Sequence, residues 1–446
     1  MRKLVIESSK QLQGTVTIQG AKNAAQKMLP ATVAFPGTYL IQHLPRIEDT
    51  RALLDILRFL GAEVTFPERH TVCINTERLV PQEIPPEMAA TSTGTFLFAG
   101  ALLSRFGHAR VWHPGGDQIG KRRVTWHLEA FRRLGAAVQE EEAFYEVHAS
   151  YLQGGTISFR RPTANGAINA VLTAMRARGT TTIENVAHEP EIQNAIQFFQ
   201  TMGGQIHWSG PNTLKVEGIT DGTGSGTIQV IPDRNDTVTF LIAGVLGHGP
   251  VTLQDVHADQ VLPLLELLEQ MGVMVETSTN ASGQTITVQC GCLRAGAYQV
   301  TSRPFPGFSS DWGAIFQVAL TQTPGTHVFH ETVFARRFAH VPELVRMGAQ
   351  IEPLALPVDE QIYNFDPDLI APPAHAIQIA GPSRLHGASV HANDVRAGAA
   401  LVLAGLVADG LTMVTGVEQI ERGYEAFAER LRRLGAKVVL EEDAED

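Results

Sequence analysis

Lysine, cysteine and aromatic residues are scarce in this chain, and no long apolar run is present. Seven lysines (Lys3, Lys10, Lys22, Lys27, Lys121, Lys215 and Lys437) are all that lysine contributes to 35 Lys+Arg, which face 46 Asp+Glu for a formal net charge of −11. That sign excludes a general nucleic-acid or anionic-membrane surface, so any anion must be held locally. The other 28 basic residues are arginines, whose planar forks suit bidentate grip on carboxylate or phosphate. Three cysteines cannot build a disulfide framework. Cys290-Gly291-Cys292 has no second pair or nearby histidine to make a zinc site, so these two and Cys73 read as plain thiols. The longest apolar stretch, 397–408, falls short of the ~20 residues that span a bilayer. The opening Met1-Arg2-Lys3-Leu4-Val5-Ile6-Glu7 has no apolar core of a secretory signal, and a cytoplasmic protein is expected.

What is present is a repeat. The 446 residues, 44% hydrophobic and 18% charged, fit a globular protein of two sizeable lobes. A phrase of apolar helix, Leu or Met, Gly, then a β-type residue occurs six times, at Leu60-Gly61, Leu134-Gly135, Met202-Gly203, Met271-Gly272, Met347-Gly348 and Leu434-Gly435. An earlier glycine precedes each by 23–28 positions, at Gly37, Gly107, Gly179, Gly249, Gly325 and Gly410. Leu53, Ile56, Leu57 and Leu60 fall at i, i+3, i+4 and i+7, one face of a helix that Gly61 ends in a left-handed conformation. Each unit of about 70 residues is therefore helix, glycine stop, strand, loop, helix, glycine stop, strand. Solenoid units run ~20–50 residues, so six such units group more naturally three and three, with a ligand expected in the cleft between lobes. The run Gly218–Thr227 contains Gly-Thr-Gly-Ser-Gly but lacks the strand-turn-helix context of a dinucleotide loop, and is expected to be a flexible turn before a strand at 228–230.

No P-loop, His-Glu-x-x-His or Gly-x-Ser-x-Gly motif occurs. In His188-Glu189-Pro190-Glu191 the proline opposes a metal-binding helix, and a capped loop is expected. The remaining chemistry lies at the ends of repeat elements. Lys22, in Gly20-Ala21-Lys22-Asn23, stands where a helix start favours an anion, although a solvated helix start would read the same way. The segment 112–123 puts Asp117 and the cations Lys121, Arg122 and Arg123 between glycines, as either an ordinary turn or a lid over a phosphate. Asp311 precedes an apolar helix and could be its N-cap. Arg336-Arg337, Asp394-Val395-Arg396 and Glu421-Arg422 recur at strand-to-helix turns, which points them at a common cleft rather than at scattered surface pairs.

These residues carry a family resemblance. Residues 12–25, 114–120, 183–192, 337–349, 394–397 (Asp-Val-Arg-Ala) and 422–425 (Arg-Gly-Tyr-Glu) resemble the enolpyruvyl transferase family, and within it the branch that acts on UDP-N-acetylglucosamine. The branch of aromatic amino-acid synthesis has a Ser-Lys-Ser type segment where this chain has Ala21-Lys22-Asn23. The resemblance implies a two-domain inside-out α/β barrel of EPSP synthase type, with six βαβαββ-type repeats, three per domain. One domain would comprise 1–21 plus 232–446, the other 22–231 with a mobile active-site loop at 112–123. The implied activity is transfer of the enolpyruvyl group of phosphoenolpyruvate to the sugar 3-hydroxyl with phosphate release, in peptidoglycan precursor synthesis, with no cofactor or metal and no nucleic-acid or membrane partner.

Residue by residue, the resemblance makes Lys22, Arg122, Arg396 and Arg422 the clamp for the two anionic groups of phosphoenolpyruvate. Asp117 would be the acid that protonates the methylene carbon and Asp311 the base at the sugar hydroxyl. Asn23, Thr93, Arg123, Val124, Thr125, Trp126, Arg161, Thr163, Ala164, Asn165, Val333, Arg337 and Asp394 would line the substrate site. Several positions depart from the family pattern. Asp117 replaces the usual cysteine, so alkylation by the epoxide fosfomycin is not expected. Thr93 replaces an arginine, Arg122-Arg123-Val124-Thr125-Trp126 stands for Arg-Pro-Val-Asp-Leu, and Arg161-Pro162-Thr163-Ala164-Asn165 stands for Lys-x-Ser-Val-Gly. The last three changes fall in the implied uracil and diphosphate pocket. They keep two alternatives open: a paralogue acting on another uridine nucleotide in specialised metabolism, and a non-catalytic nucleotide-sugar-binding regulator.

Overall fold

The computed structural model describes residues 2–9, 11–113, 124–220, 222–281, 283–289, 293–357, 362–364 and 375–442. Its described residues divide into two compact units, the one within 20–231 and the remainder, with chain crossings at 19/20 and 231/232.

In the unit of residues 20–231 the third repeat shows the plan without interruption. Strand Thr156–Thr163, helix Asn165–Ala174, strand Thr180–Val186, helix Pro190–Thr201 and the hairpin Gln205–Gly210/Thr213–Glu217 follow in order. The two strands that flank the first helix are parallel, and the hairpin adds antiparallel to the second. This is a βαβαββ unit. The first repeat has the same sheet, but its opening strand comes from the far end of the unit: Gly224–Gln229 runs parallel to Gly37–Gln42. The Gly-Thr-Gly-Ser-Gly run is thus largely strand, not the flexible turn expected from its composition. Glycine is needed on both strands for close approach: a Cβ on Gly37 would lie 1.6 Å from the Gly224 carbonyl oxygen, and one on Gly224 2.4 Å from the Tyr39 hydroxyl. The second repeat contributes a three-stranded sheet among the described residues.

The other unit repeats the device. Gly14–Thr17 runs parallel to Val251–Val256 and completes the fourth repeat. Arg2–Glu7 lies antiparallel between Leu411–Thr415 and Lys437–Glu442 and completes the sixth. The amino-terminal segment thus closes two sheets built four hundred residues away or less, and holds the unit together.

Burial sorts the helices into two kinds. The second helix of a repeat is amphipathic: in Glu48–Phe59, Leu53, Leu54, Ile56 and Leu57 are buried while Arg51, Asp55 and Arg58 face water. The first helix is apolar nearly all round and buried along its length, as in Arg234–Leu246, Gly313–Gln322 and Val395–Val407, which pack on one another. Lys22–Ala31, Phe98–Phe106 and Asn165–Ala174 do the same in their own unit. Three helices inside and sheets outside is the inside-out α/β arrangement. All six glycines of the repeated phrase have φ between 84° and 99°, the left-handed stop expected. The earlier set divides. Gly107, Gly179, Gly325 and Gly410 have positive φ, but Gly37 and Gly249 do not. At Gly249, as at Gly37, the requirement is steric: a Cβ would lie 2.0 Å from the Leu12 carbonyl oxygen, beside the strand supplied from the amino terminus.

Candidate functional site

In the unit of residues 20–231, Lys22 opens the helix Lys22–Ala31 and is buried, its Nζ 2.8 Å from Asp49 Oδ2. Gln26, one turn on, donates from Nε2 to Asp49 Oδ2 (2.8 Å) and to Ser92 Oγ (2.9 Å). Ser92 caps the short helical turn Thr93–Leu97, so Gln26 ties the segment that carries Thr93 to the helix that carries Lys22 and Asn23. A second group forms where helix Thr125–Arg133 begins beside the Thr156–Thr163 strand. The Trp126 ring lies 6.4 Å from that of Phe159, and a Cβ on Gly166 would touch both Thr163 and Trp126. Val124, Thr125, Trp126, Thr163, Ala164 and Asn165 thus share one end of the unit, with Arg161 on the same strand. Below them His127 is buried, and burial lowers its pKa to about 4.

The other unit gathers the charged residues. Ser309, not Asp311, is the N-cap: its hydroxyl accepts from Asp311 N–H. The Asp311 carboxylate is therefore directed to side chains. Arg337 Nη2 donates to Oδ1, Asn235 Nδ2 donates to Oδ2 at 3.3 Å, and Arg396 Nη2 stands 3.8 Å from Oδ2, an electrostatic rather than hydrogen-bonded distance. The arginine side chains are 4% and 6% exposed but Asp311 is 26% exposed, so the carboxylate is the member of the group that solvent or substrate can reach. Asp394 caps helix Val395–Val407, accepting from the Arg396 and Ala397 N–H groups at 2.8 Å, which sets Arg396 in the first turn. Burial pulls the Arg396 pKa down, but Tyr424, Asp311 and Asp233 around it outweigh this and leave it raised, a permanent cation. Its Nη1 is buried and makes no hydrogen bond among the described residues. Arg422 donates to Gln419 Oε1 at 3.1 Å. Val333 donates its N–H to Glu331 Oε1 at 2.7 Å.

Sequence reasoning did not find Asp49, Gln26, Asn235 or Glu331. Each is a partner brought from another element, and no spacing in the chain marks it. Asp117, Arg122 and Arg123 lie outside the described residues. Among the described residues no group of three or more His, Cys, Asp or Glu could hold a metal ion, and no helix is long and apolar enough to cross a membrane.

The family model of EPSP synthase (3-phosphoshikimate 1-carboxyvinyltransferase) matches residues 6–431. The chain belongs to the enolpyruvyl transferase family. Similar proteins include UDP-N-acetylglucosamine 1-carboxyvinyltransferase 2 of Carboxydothermus hydrogenoformans, 38% identical over 438 residues that cover 98% of this chain and 99% of that protein. The UDP-N-acetylglucosamine 1-carboxyvinyltransferase of Halothermothrix orenii is 37% identical with the same coverage. Among solved structures, the enolpyruvyl transferase NikO from Streptomyces tendae superposes with a TM-score of 0.84 at 24% identity over 99% of both chains. An EPSP synthase from Acinetobacter baumannii gives 0.74 at 17% identity over 99% of this chain and all of that one. These enolpyruvyl transferases share the fold described above.

Proposed function

We propose that the protein is a transferase that moves the enolpyruvyl group of phosphoenolpyruvate to the 3-hydroxyl of UDP-N-acetylglucosamine, releasing phosphate, in the synthesis of peptidoglycan precursors. The observation that carries the chemistry is the Asp311 carboxylate beside two buried arginines, one of which, Arg396, has a buried Nη1 that makes no hydrogen bond among the described residues. The acceptor rests on relatives of that name, 34–38% identical over 98% of the chain. The specialised-metabolism paralogue and the non-catalytic regulator, raised by Thr93, Arg123 and Trp126, are not favoured by those relatives.

In the reaction Asp311 takes the proton of the sugar 3-hydroxyl as its oxygen bonds to C2 of phosphoenolpyruvate, and Asp117 delivers a proton to C3. The tetrahedral adduct then loses phosphate from C2 and a proton from C3, restoring the double bond. Lys22, Arg122, Arg396 and Arg422 are the cations for the carboxylate and phosphate, and their fixed charges stabilise the adduct without reorganisation. Asn23, Thr93, Arg123, Val124, Thr125, Trp126, Arg161, Thr163, Ala164, Asn165, Val333, Arg337 and Asp394 belong to the nucleotide and sugar site or shape it. Residues 112–123 act as the lid, and the reaction takes place in the cytoplasm. The test is phosphate release from phosphoenolpyruvate with UDP-N-acetylglucosamine, a simple uridine nucleotide or shikimate 3-phosphate as acceptor. Turnover is expected with the first. Release only with one of the others, or with none, overturns the acceptor or the activity.

A further inference from the structure

We propose that Asn235 is a positioning residue for Asp311, fixing the carboxylate's orientation and holding it ionised; this rests on Asp311 being the base of the proposed reaction. Asn235 is 2% exposed, in the first turn of helix Arg234–Leu246. Its backbone is pinned at both ends, with N–H donating to the cap Asp233 Oδ1 (2.8 Å) and the carbonyl accepting from Thr239 Oγ1 (2.8 Å). The side chain spans two groups of one segment. Trp312 Nε1 donates to Asn235 Oδ1 at 3.0 Å, and Asn235 Nδ2 donates to Asp311 Oδ2 at 3.3 Å.

The amide has one workable orientation. An indole N–H can only donate, so the oxygen must face Trp312 and the NH2 must face Asp311. Trp312 is itself locked: it is 1% exposed, its ring packs edge-on to Phe308, and Arg234 lies 5.6 Å over it. The chain of constraints therefore runs from core to indole to amide to carboxylate. It sets a neutral donor on Oδ2 of Asp311, with Arg337 on Oδ1. Among the described residues, the charged and titratable groups around this carboxylate include Arg396, at 3.8 Å; Arg234, against Trp312; Asp233 and Tyr424, near Arg396; and Glu331, which accepts from the neighbouring Ser310 hydroxyl. Hydrogen bonds to the charged form favour it, so removal of the Asn235 donor should make Asp311 easier to protonate.

Two readouts test this. In the unliganded protein, the 13C-carboxylate titration of Asp311, assigned by its loss in Asp311→Asn, is expected to move up by about half a unit to one unit in Asn235→Ala. In the phosphate-release assay, Asn235→Asp keeps the shape but sets a like charge against Asp311. The acid limb of its kcat profile is expected to rise by about one pH unit, an approximately tenfold loss on that limb that is recovered at higher pH, with KM for both substrates nearly unchanged. A residue that merely packs beneath Trp312 would lower stability and leave both profiles in place, and that result overturns the proposal. If Asn235→Ala does not fold, Trp312→Phe removes the N–H that orients the amide, and a smaller upward titration shift is expected; no shift counts against the proposal. Absence of phosphate release by the wild type sinks the functional reading, while the titration still decides the role of Asn235.

Discussion

Replacing Arg337 by methionine tests the pairing on which the charged group depends. Methionine keeps much of the side chain's volume and removes its charge. Among the hydrogen bonds that go with it are those from Nη2 to Asp311 Oδ1 and from Nε to the Ser310 carbonyl at 3.4 Å. Breaking a fully buried ion pair costs ~3–5 kcal/mol because the remaining charge is stranded. Asp311 is 26% exposed, so water recovers part of that, and a loss of about 2–3 kcal/mol is expected. Asp311→Asn takes the ionised partner from the 4%-exposed Arg337 instead and should cost about as much. The double variant removes both charges of the pair, so its loss should be close to that of one single, a coupling of about 2 kcal/mol. Trp312 is the only tryptophan in its unit, the others being Trp112, Trp126 and Trp208. With those three changed to phenylalanine, Trp312 fluorescence in a urea titration reports unfolding of this unit alone. Losses in the two singles that simply add in the double, to within about 0.5 kcal/mol, would refute the argument that the pair acts as a unit.

Three further outcomes are expected. Asp117→Asn should abolish phosphate release with nucleotide binding largely kept, and the wild type should resist fosfomycin whereas Asp117→Cys becomes open to time-dependent inactivation; retained turnover in the asparagine variant refutes the acid role. Gly37→Ala would put a methyl 1.6 Å from the Gly224 carbonyl oxygen and should destabilise its unit by about 3 kcal/mol or more, seen as a lower urea midpoint; an unchanged midpoint refutes the close approach. His127, with its pKa lowered by burial to about 4, stays neutral in the folded protein while the unfolded chain binds a proton near pH 6.5. The unfolded state thus holds more protons between those values, and stability falls as pH drops from about 6.5 to 4, by up to about 3 kcal/mol from this residue. Burial likewise lowers buried His340 to about 4, so His127→Gln should remove roughly half of the combined slope in urea midpoints against pH; an unaltered slope contradicts it.

Much of the architecture was legible in the chain. The six Leu/Met-Gly phrases mark six helix ends because a left-handed stop is a local requirement that glycine meets best, and the apolar periodicity of Leu53, Ile56, Leu57 and Leu60 marks one helix face. The motif blocks carried the family, and with it Lys22, Asp311, Arg337 and Arg396. Tertiary structure alone decided which strand closes which sheet. Gly224–Thr227 reads as a turn by composition, and becomes strand because the first repeat lacks an opening strand and glycines on both sides let two backbones touch. It also decided the partners of the charged residues. Lys22 meets Asp49, and Asp311 meets Asn235, Arg337 and Arg396, across separations that follow no period. Periodicity records what a residue does with its own element. Pairing between elements is settled by packing, which here gathers a few cations around one carboxylate in a chain of net charge −11.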